Sequence, residues 1–160
     1  MTAIYPGSFD PITNGHIEII RRAAAVFERV VVAVMVNSEK RTMFTGDERV
    51  EMVKTALADI ANVETVFFAG LTVELCREYA PSVLVKGVRT TADFDYEAMI
   101  AEANKAAGGV DTVLFMADPA LARLNSLVVR EFASHGGKVS QWVPENVNQK
   151  LKLKFENIGG

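Results

Sequence analysis

The chain has 160 residues, 49% of them apolar and 23% charged, a size and balance that support one self-folding domain with a buried core and exclude a disordered chain. Seventeen Lys and Arg against 20 Asp and Glu give a net charge of −3, the wrong sign for a duplex-binding surface, so nucleic acid is not an expected partner. One cysteine and two histidines make neither an internal disulfide nor a structural zinc site, and no apolar stretch has the ~18 to 20 residues of a bilayer span or the pattern of a secretory leader, so the expectation is a cytoplasmic protein without membrane attachment.

Ala3 to Tyr5 reads as a short first strand, and the turn after it, Pro6 to Gly15, contains two prolines and two glycines before His16. Ile17, Ile20, Ala24 and Phe27 then recur at helical spacing. Val30 to Val36 is apolar at all seven positions, the pattern of a parallel strand covered on both faces. After a polar loop at 37 to 44, Thr45 and Glu48 have the form of a capping box, and Val50, Val53, Leu57 and Ile60 carry a second amphipathic helix. A third strand is expected over Val63 to Phe68 and a third helix over Thr72 to Tyr79, where Cys76 falls on the apolar face as core packing. A fourth strand follows at Val83 to Val85, and a fourth helix runs from about Asp93 to Ala106. The fifth strand is Thr112 to Met116, the fifth helix about Asn125 to His135, and a last helix spans about Glu145 to Phe155. His135 reads as a helix-end cap, and Lys150, Lys152 and Lys154 as a solvated helix end.

Five βα units with right-handed crossovers make an open, doubly wound, Rossmann-like α/β fold: a five-stranded parallel sheet with helices on both faces, residues 1–160 forming a single domain. All strand C-termini then share one edge, where ligands bind. Lys40, Arg41, Lys86, Arg89, Arg123 and Arg130 lie on or near segments of that edge, so an acidic protein carries a basic rim, to which the first helix adds its N-terminal amides. The rim suits phosphates, yet neither G-x-x-x-x-G-K-[ST] nor a strand-borne G-x-G-x-x-G occurs.

Pro6-Gly7-Ser8-Phe9-Asp10-Pro11 followed by Thr13-Asn14-Gly15-His16 resembles the T/H-x-G-H signature of the nucleotidyltransferase α/β phosphodiesterase superfamily. Lys40 with Phe44, Lys86-Gly87-x-Arg89 and Asp93-Phe94-x-Tyr96-Glu97 narrow the resemblance to the phosphopantetheine adenylyltransferase family, over about residues 1 to 155. The resemblance implies transfer of the adenylyl group of ATP to 4′-phosphopantetheine, giving dephospho-coenzyme A and pyrophosphate, with Mg²⁺ and a homohexameric assembly. By that likeness His16, Lys40, Ser8 and Arg89 are the catalytic set. ATP contacts fall on Ser8, Phe9, His16, Gly87, Val88, Arg89 and Glu97, and phosphopantetheine contacts on Ser8, Lys40, Thr72, Lys86 and Asn104. Asp10 reads as a structural turn residue.

A second ATP motif of the family, approximately W/Y-S-F-I-S-S-S/T-x-V-R/K-E, aligns with Leu121, Ala122, Arg123, Leu124, Asn125, Ser126 and Leu127, then Val128 to Glu131. Only Ser126, Val129, Arg130 and Glu131 clearly match. Asn125 still offers a cap and a donor, whereas Leu127 offers none; either ATP binding is weaker or Arg123 compensates. Two other readings stand beside the main one: the same first-turn machinery with another acceptor, such as nicotinate mononucleotide or a phospho-alcohol, and a non-catalytic nucleotide-binding subunit. An acceptor phosphate already ionised near pH 7 needs no general base, so His16 is expected to stabilise charge on the α-phosphate.

Overall fold

The computed structural model describes residues 1–36 and 41–156. Strands and helices alternate as β1 (Thr2–Gly7), α1 (Asn14–Val26), β2 (Arg29–Val36), α2 (Gly46–Ala56), β3 (Val63–Ala69), α3 (Thr72–Tyr79), β4 (Val83–Val88), α4 (Thr91–Gly108), β5 (Asp111–Met116), α5 (Ser126–Ser134) and α6 (Glu145–Glu156). The strands form one sheet in the order β3-β2-β1-β4-β5, every neighbouring pair parallel. This is the doubly wound α/β fold expected from the alternation. From β1 the chain winds outward through β2 to β3, then returns through α3 to the other side of β1. The C-terminal ends of β1 and β4 therefore diverge, and a crevice opens between them at the topological switch point.

The apolar run of β2 is buried on both sides, as its composition requires. Val30, Val32 and Val34 pack with Ile20 of α1, Val53 of α2, Val129 of α5 and Leu151 of α6. Val31 and Ala33 point the other way, onto Leu75 and Cys76 of α3. Differences from the sequence reading sit at element ends. β4 runs on to Val88, with Lys86 and Gly87 paired to Leu114 and Phe115 of β5, because a ladder is made of backbone groups and does not stop where apolar side chains do. α2 ends at Ala56, capped by Leu57, and its buried face is Arg49, Met52 and Val53 rather than one led by Val50.

Several polar side chains hold the loops. Asn62 Nδ2 donates to the carbonyls of Ala24 and Phe27, at 2.9 and 3.0 Å, closing the end of α1. At the other end, Asn14 N donates to the Trp142 carbonyl at 2.9 Å, satisfying one of the amides that a helix start leaves free. His135 Nδ1 donates to the Glu131 carbonyl at 2.9 Å, the expected helix-end role. At the end of α6, Lys152 is exposed as expected, while its two neighbours of like charge also make surface contacts. Lys150 pairs with Glu51 of α2 at 3.1 Å, and Lys154 Nζ stands 4.8 Å from the centre of the Phe44 ring. Both lysines reach back onto α2 and the loop before it, because α6 packs there.

Candidate active site

The turn after β1 folds back on itself. Phe9 has φ of +47° and is buried, its ring edge-on to Tyr5 at 5.5 Å and to the His16 imidazole at 5.1 Å. Gly7 permits this, since a Cβ there would lie 2.9 Å from the Phe9 ring. α1 begins with a capping box in which histidine takes the place usually held by Glu or Gln. Thr13 Oγ1 accepts from His16 N at 3.4 Å, and His16 Nδ1 accepts from Thr13 N at 3.1 Å. A backbone amide only donates, so Nδ1 presents its lone pair and the ring proton resides on Nε2.

Burial, followed by the charges of Arg89 and Lys86, lowers the His16 pKa from 6.5 to about 4. The imidazole is thus a neutral donor near pH 7 and a poor base. Because the unfolded chain takes up this proton first, the stability that neutral His16 contributes is complete above pH 6.5 and is lost as pH falls toward 4. An NMR titration of the ring is expected to find its midpoint near 4; a midpoint at the ordinary histidine value would show a ring in free contact with water.

β4 delivers the cations. Arg89, just past its end, is held by Asp93 in the first turn of α4: Nε donates to Oδ2 at 2.9 Å and Nη2 to Oδ1 at 3.3 Å. Its Nη1 donates to the Leu124 carbonyl at 3.2 Å, which ties the guanidinium to the segment before α5. Asp93 is itself fixed by the Thr90 cap, whose Oγ1 accepts from Asp93 N at 3.1 Å. Lys86 faces Glu97 at 3.5 Å, both side chains mostly buried.

Two cavities open along the sheet edge. One, of about 250 Å³, lies in the crevice between β1 and β4 and holds Phe9, His16, Gly87 and Arg89 on its walls, closed by Leu121, Leu124, Asn125 and Ser126. The other, of about 780 Å³, extends over the ends of β1, β2 and β3 and is lined by Ser8, Met35, Leu71 and Thr72. They share a wall made of Pro6, Gly7, Lys86 and Glu97. Two ligands can therefore meet end to end at a lysine.

Most of the expected site residues come together here, and the exceptions have structural causes. Lys40 lies outside the described residues. Val88 is fully buried in the sheet, its carbonyl accepting from Ala117 N at 2.8 Å. Ala122, Arg123 and Leu127 line neither cavity, Leu127 being 64% exposed, since only one side of the turn into α5 faces the crevice. Asn104 also lines neither, sitting about two helical turns beyond Glu97 on α4. At the start of α5, Asn125 Oδ1 accepts from Val128 N and Ser126 Oγ donates to the Pro11 carbonyl, both at 2.8 Å, which leaves the Asn125 Nδ2 group to donate. The Leu127→Ser variant is expected to leave the KM for ATP unchanged, because position 127 points away from the cavity; a lowered KM would bring that position into the site.

Three residues of the site had no assigned role in the sequence. Thr13 sets the imidazole tautomer, Asp93 aims Arg89, and Arg49 is buried beneath the first turn. Asp10, read as a turn residue, accepts from Met43 N and Phe44 N at 2.8 and 2.9 Å, while Arg130 Nη1 donates to its backbone carbonyl at 2.7 Å. The signal for Arg49 was a charge on the face shared with Met52 and Val53, an unusual place for one.

A crevice at the switch point, two helix starts aimed into it and a neutral histidine between two cations define a nucleotidyltransferase, and residues 4–132 match the cytidylyltransferase-like family. The fold agrees: a putative nicotinate-nucleotide adenylyltransferase from Vibrio parahaemolyticus superposes with a TM-score of 0.67 at 16% identity, covering 94% of this chain and 97% of that one. The chain is 46% identical to the phosphopantetheine adenylyltransferase of Thermobifida fusca (strain YX), over 97% of its own length and 94% of the relative's. It is 44% identical to that of Cutibacterium acnes (strain DSM 16379 / KPA171202), over 97% and 99%. It belongs to the phosphopantetheine adenylyltransferase family.

Proposed function

We infer that this enzyme transfers the adenylyl group of ATP to 4′-phosphopantetheine, releasing pyrophosphate and dephospho-coenzyme A. The observation that carries the reading is the pair of cavities joined at Lys86, one beside His16 and Arg89 and the other beside Ser8 and Thr72. ATP in the first and phosphopantetheine in the second would bring the acceptor phosphate in line with the α-phosphorus at the shared wall. That approach joins two anions, so charge must be neutralised before alignment helps. His16 Nε2–H donates to a non-bridging α-phosphate oxygen, Arg89 and Lys86 offset the charge on either side, and the amides at the starts of α1 and α5 meet the leaving phosphates. Lys40 is proposed to bridge both substrates, as the family resemblance implies.

Magnesium fits as a companion of the triphosphate rather than as a caged ion. Among the described residues no group of three or more metal-ligating side chains occurs, while Mg²⁺ is commonly held by substrate phosphates, and bound there it would supply positive charge to the leaving pyrophosphate. Self-association is supported by α4, which exposes the large apolar side chains of Phe94, Tyr96 and Met99; we propose a homohexamer, to be measured by light scattering. Among the described residues no helix is long and apolar enough to cross a membrane, and the proposed location is the cytoplasm. Mixing protein, Mg²⁺ and ATP with each acceptor in turn and assaying pyrophosphate tests the reaction. Release with phosphopantetheine alone supports it; release only with nicotinate mononucleotide, or binding without release, overturns it.

A further inference from the structure

Arg49 is the largest fully buried side chain among the described residues, and its position makes little sense as packing. Burial lowers its pKa, with only the neighbouring charge of Asp10 acting in the opposite direction. Among the described residues it forms no ion pair, and its Nε has no acceptor. The Asp10 carboxylate is already engaged by the amides of Met43 and Phe44. A cation buried this way is costly, and an apolar side chain beside Met52 and Val53 would serve the face of α2 better. What Arg49 does achieve is a cross-link between strand ends: Nη1 donates to the Ser8 carbonyl at 2.6 Å and to the Met35 carbonyl at 3.0 Å.

The Ser8 carbonyl belongs to the peptide that ends at the Phe9 amide. That peptide is trans, so its C=O and N–H point in opposite directions. With the oxygen drawn down to Arg49, the Phe9 N–H is turned away from α2, and among the described residues no acceptor meets it. Phe9 pays for this orientation with a left-handed φ of +47°, a conformation non-glycine residues keep only where their surroundings impose it. Its ring is buried between Tyr5 and His16, yet Phe9 lines the crevice cavity, and the backbone amide is the residue's one donor. We propose that Arg49 is a positioning residue for adenylyl transfer: by holding the Ser8 carbonyl it presents the Phe9 N–H to the reacting phosphate beside His16. The proposal rests on the reaction inferred above.

The test compares wild type with Arg49→Met, which keeps the length of an apolar stem, and Arg49→Lys, which keeps the charge but ends one bond short of the Nη1 that meets both carbonyls. Wild type is assayed first for pyrophosphate release with ATP and phosphopantetheine; failure there sinks the reaction and is seen before any variant is read. Given turnover, Arg49→Met is expected to lose about 10- to 100-fold in kcat with little change in either KM, below the loss for one preorganised donor because the amide is misaimed and not removed. Arg49→Lys should fall between the two. In ¹H–¹⁵N spectra the Phe9 amide should shift when a non-hydrolysable ATP analogue binds wild type, and shift much less in Arg49→Met, while the Gly87 amide responds equally in both. A folded Arg49→Met with wild-type kcat overturns the proposal. If Arg49→Met does not fold, the lysine variant decides: lowered kcat upholds the role, whereas unchanged kcat, or failure of both variants to fold, assigns Arg49 to the core alone.

Discussion

His16→Ala is expected to lower kcat by about 10²–10³-fold with the KM values little altered, the scale for one preorganised donor aimed at a transition-state oxyanion. The geometry gives the reason. Nδ1 is occupied by the Thr13 amide, so the donor is Nε2–H, and a pKa near 4 keeps that donor neutral near pH 7. Alanine also removes the acceptor for the Thr13 amide, which costs about 1 kcal/mol at the helix start. His16→Gln separates the two effects, because Gln is a normal capping-box partner: its Tm should stay close to wild type while kcat remains low. Near-normal turnover in both variants would remove the imidazole from the mechanism.

Asp10→Ala is expected to cause the largest loss of stability, about 3 kcal/mol in urea unfolding. The carboxylate is buried, accepts from two backbone amides and stands 3.8 Å from Arg130. Its removal leaves the Met43 and Phe44 amides without acceptors and deprives both Arg49 and Arg130 of their neighbouring anion. Asp10→Asn keeps an acceptor oxygen for one amide and should lose roughly half as much. A change below about 0.5 kcal/mol for alanine, the range of ordinary surface substitutions, would mean that water replaces the carboxylate freely.

Much of the catalytic cleft was legible because its parts are local. Gly15-His16 at a helix start, Lys86-Gly87-x-Arg89 after a strand and Asn125-Ser126 before a helix are each defined by neighbours in the chain, and the parallel topology carries all three to one edge. What pattern could not supply was orientation within those segments. Leu127 and Asn125 are two residues apart, yet one is exposed and the other lines the cavity, because the angle at which the turn enters α5 is set by contacts such as Ser126 to Pro11, 115 residues away in sequence. Asn104 lies on the expected helix, about two turns beyond Glu97, and lines neither cavity of the chain.

By itself the amino-acid order determined the alternation of strand and helix, the two-sided burial of β2 and the capping of α2, since each follows from periodicity or from groups within four residues of one another. Tertiary packing alone decided how the His16 pKa moves, which way the Ser8–Phe9 peptide faces and why an arginine belongs under the first turn. Those properties depend on burial and on partners drawn from distant elements, α2 beneath β1 and β4 across from α1, and a one-dimensional pattern holds no record of the electric field and hydrogen bonds that arise when they meet.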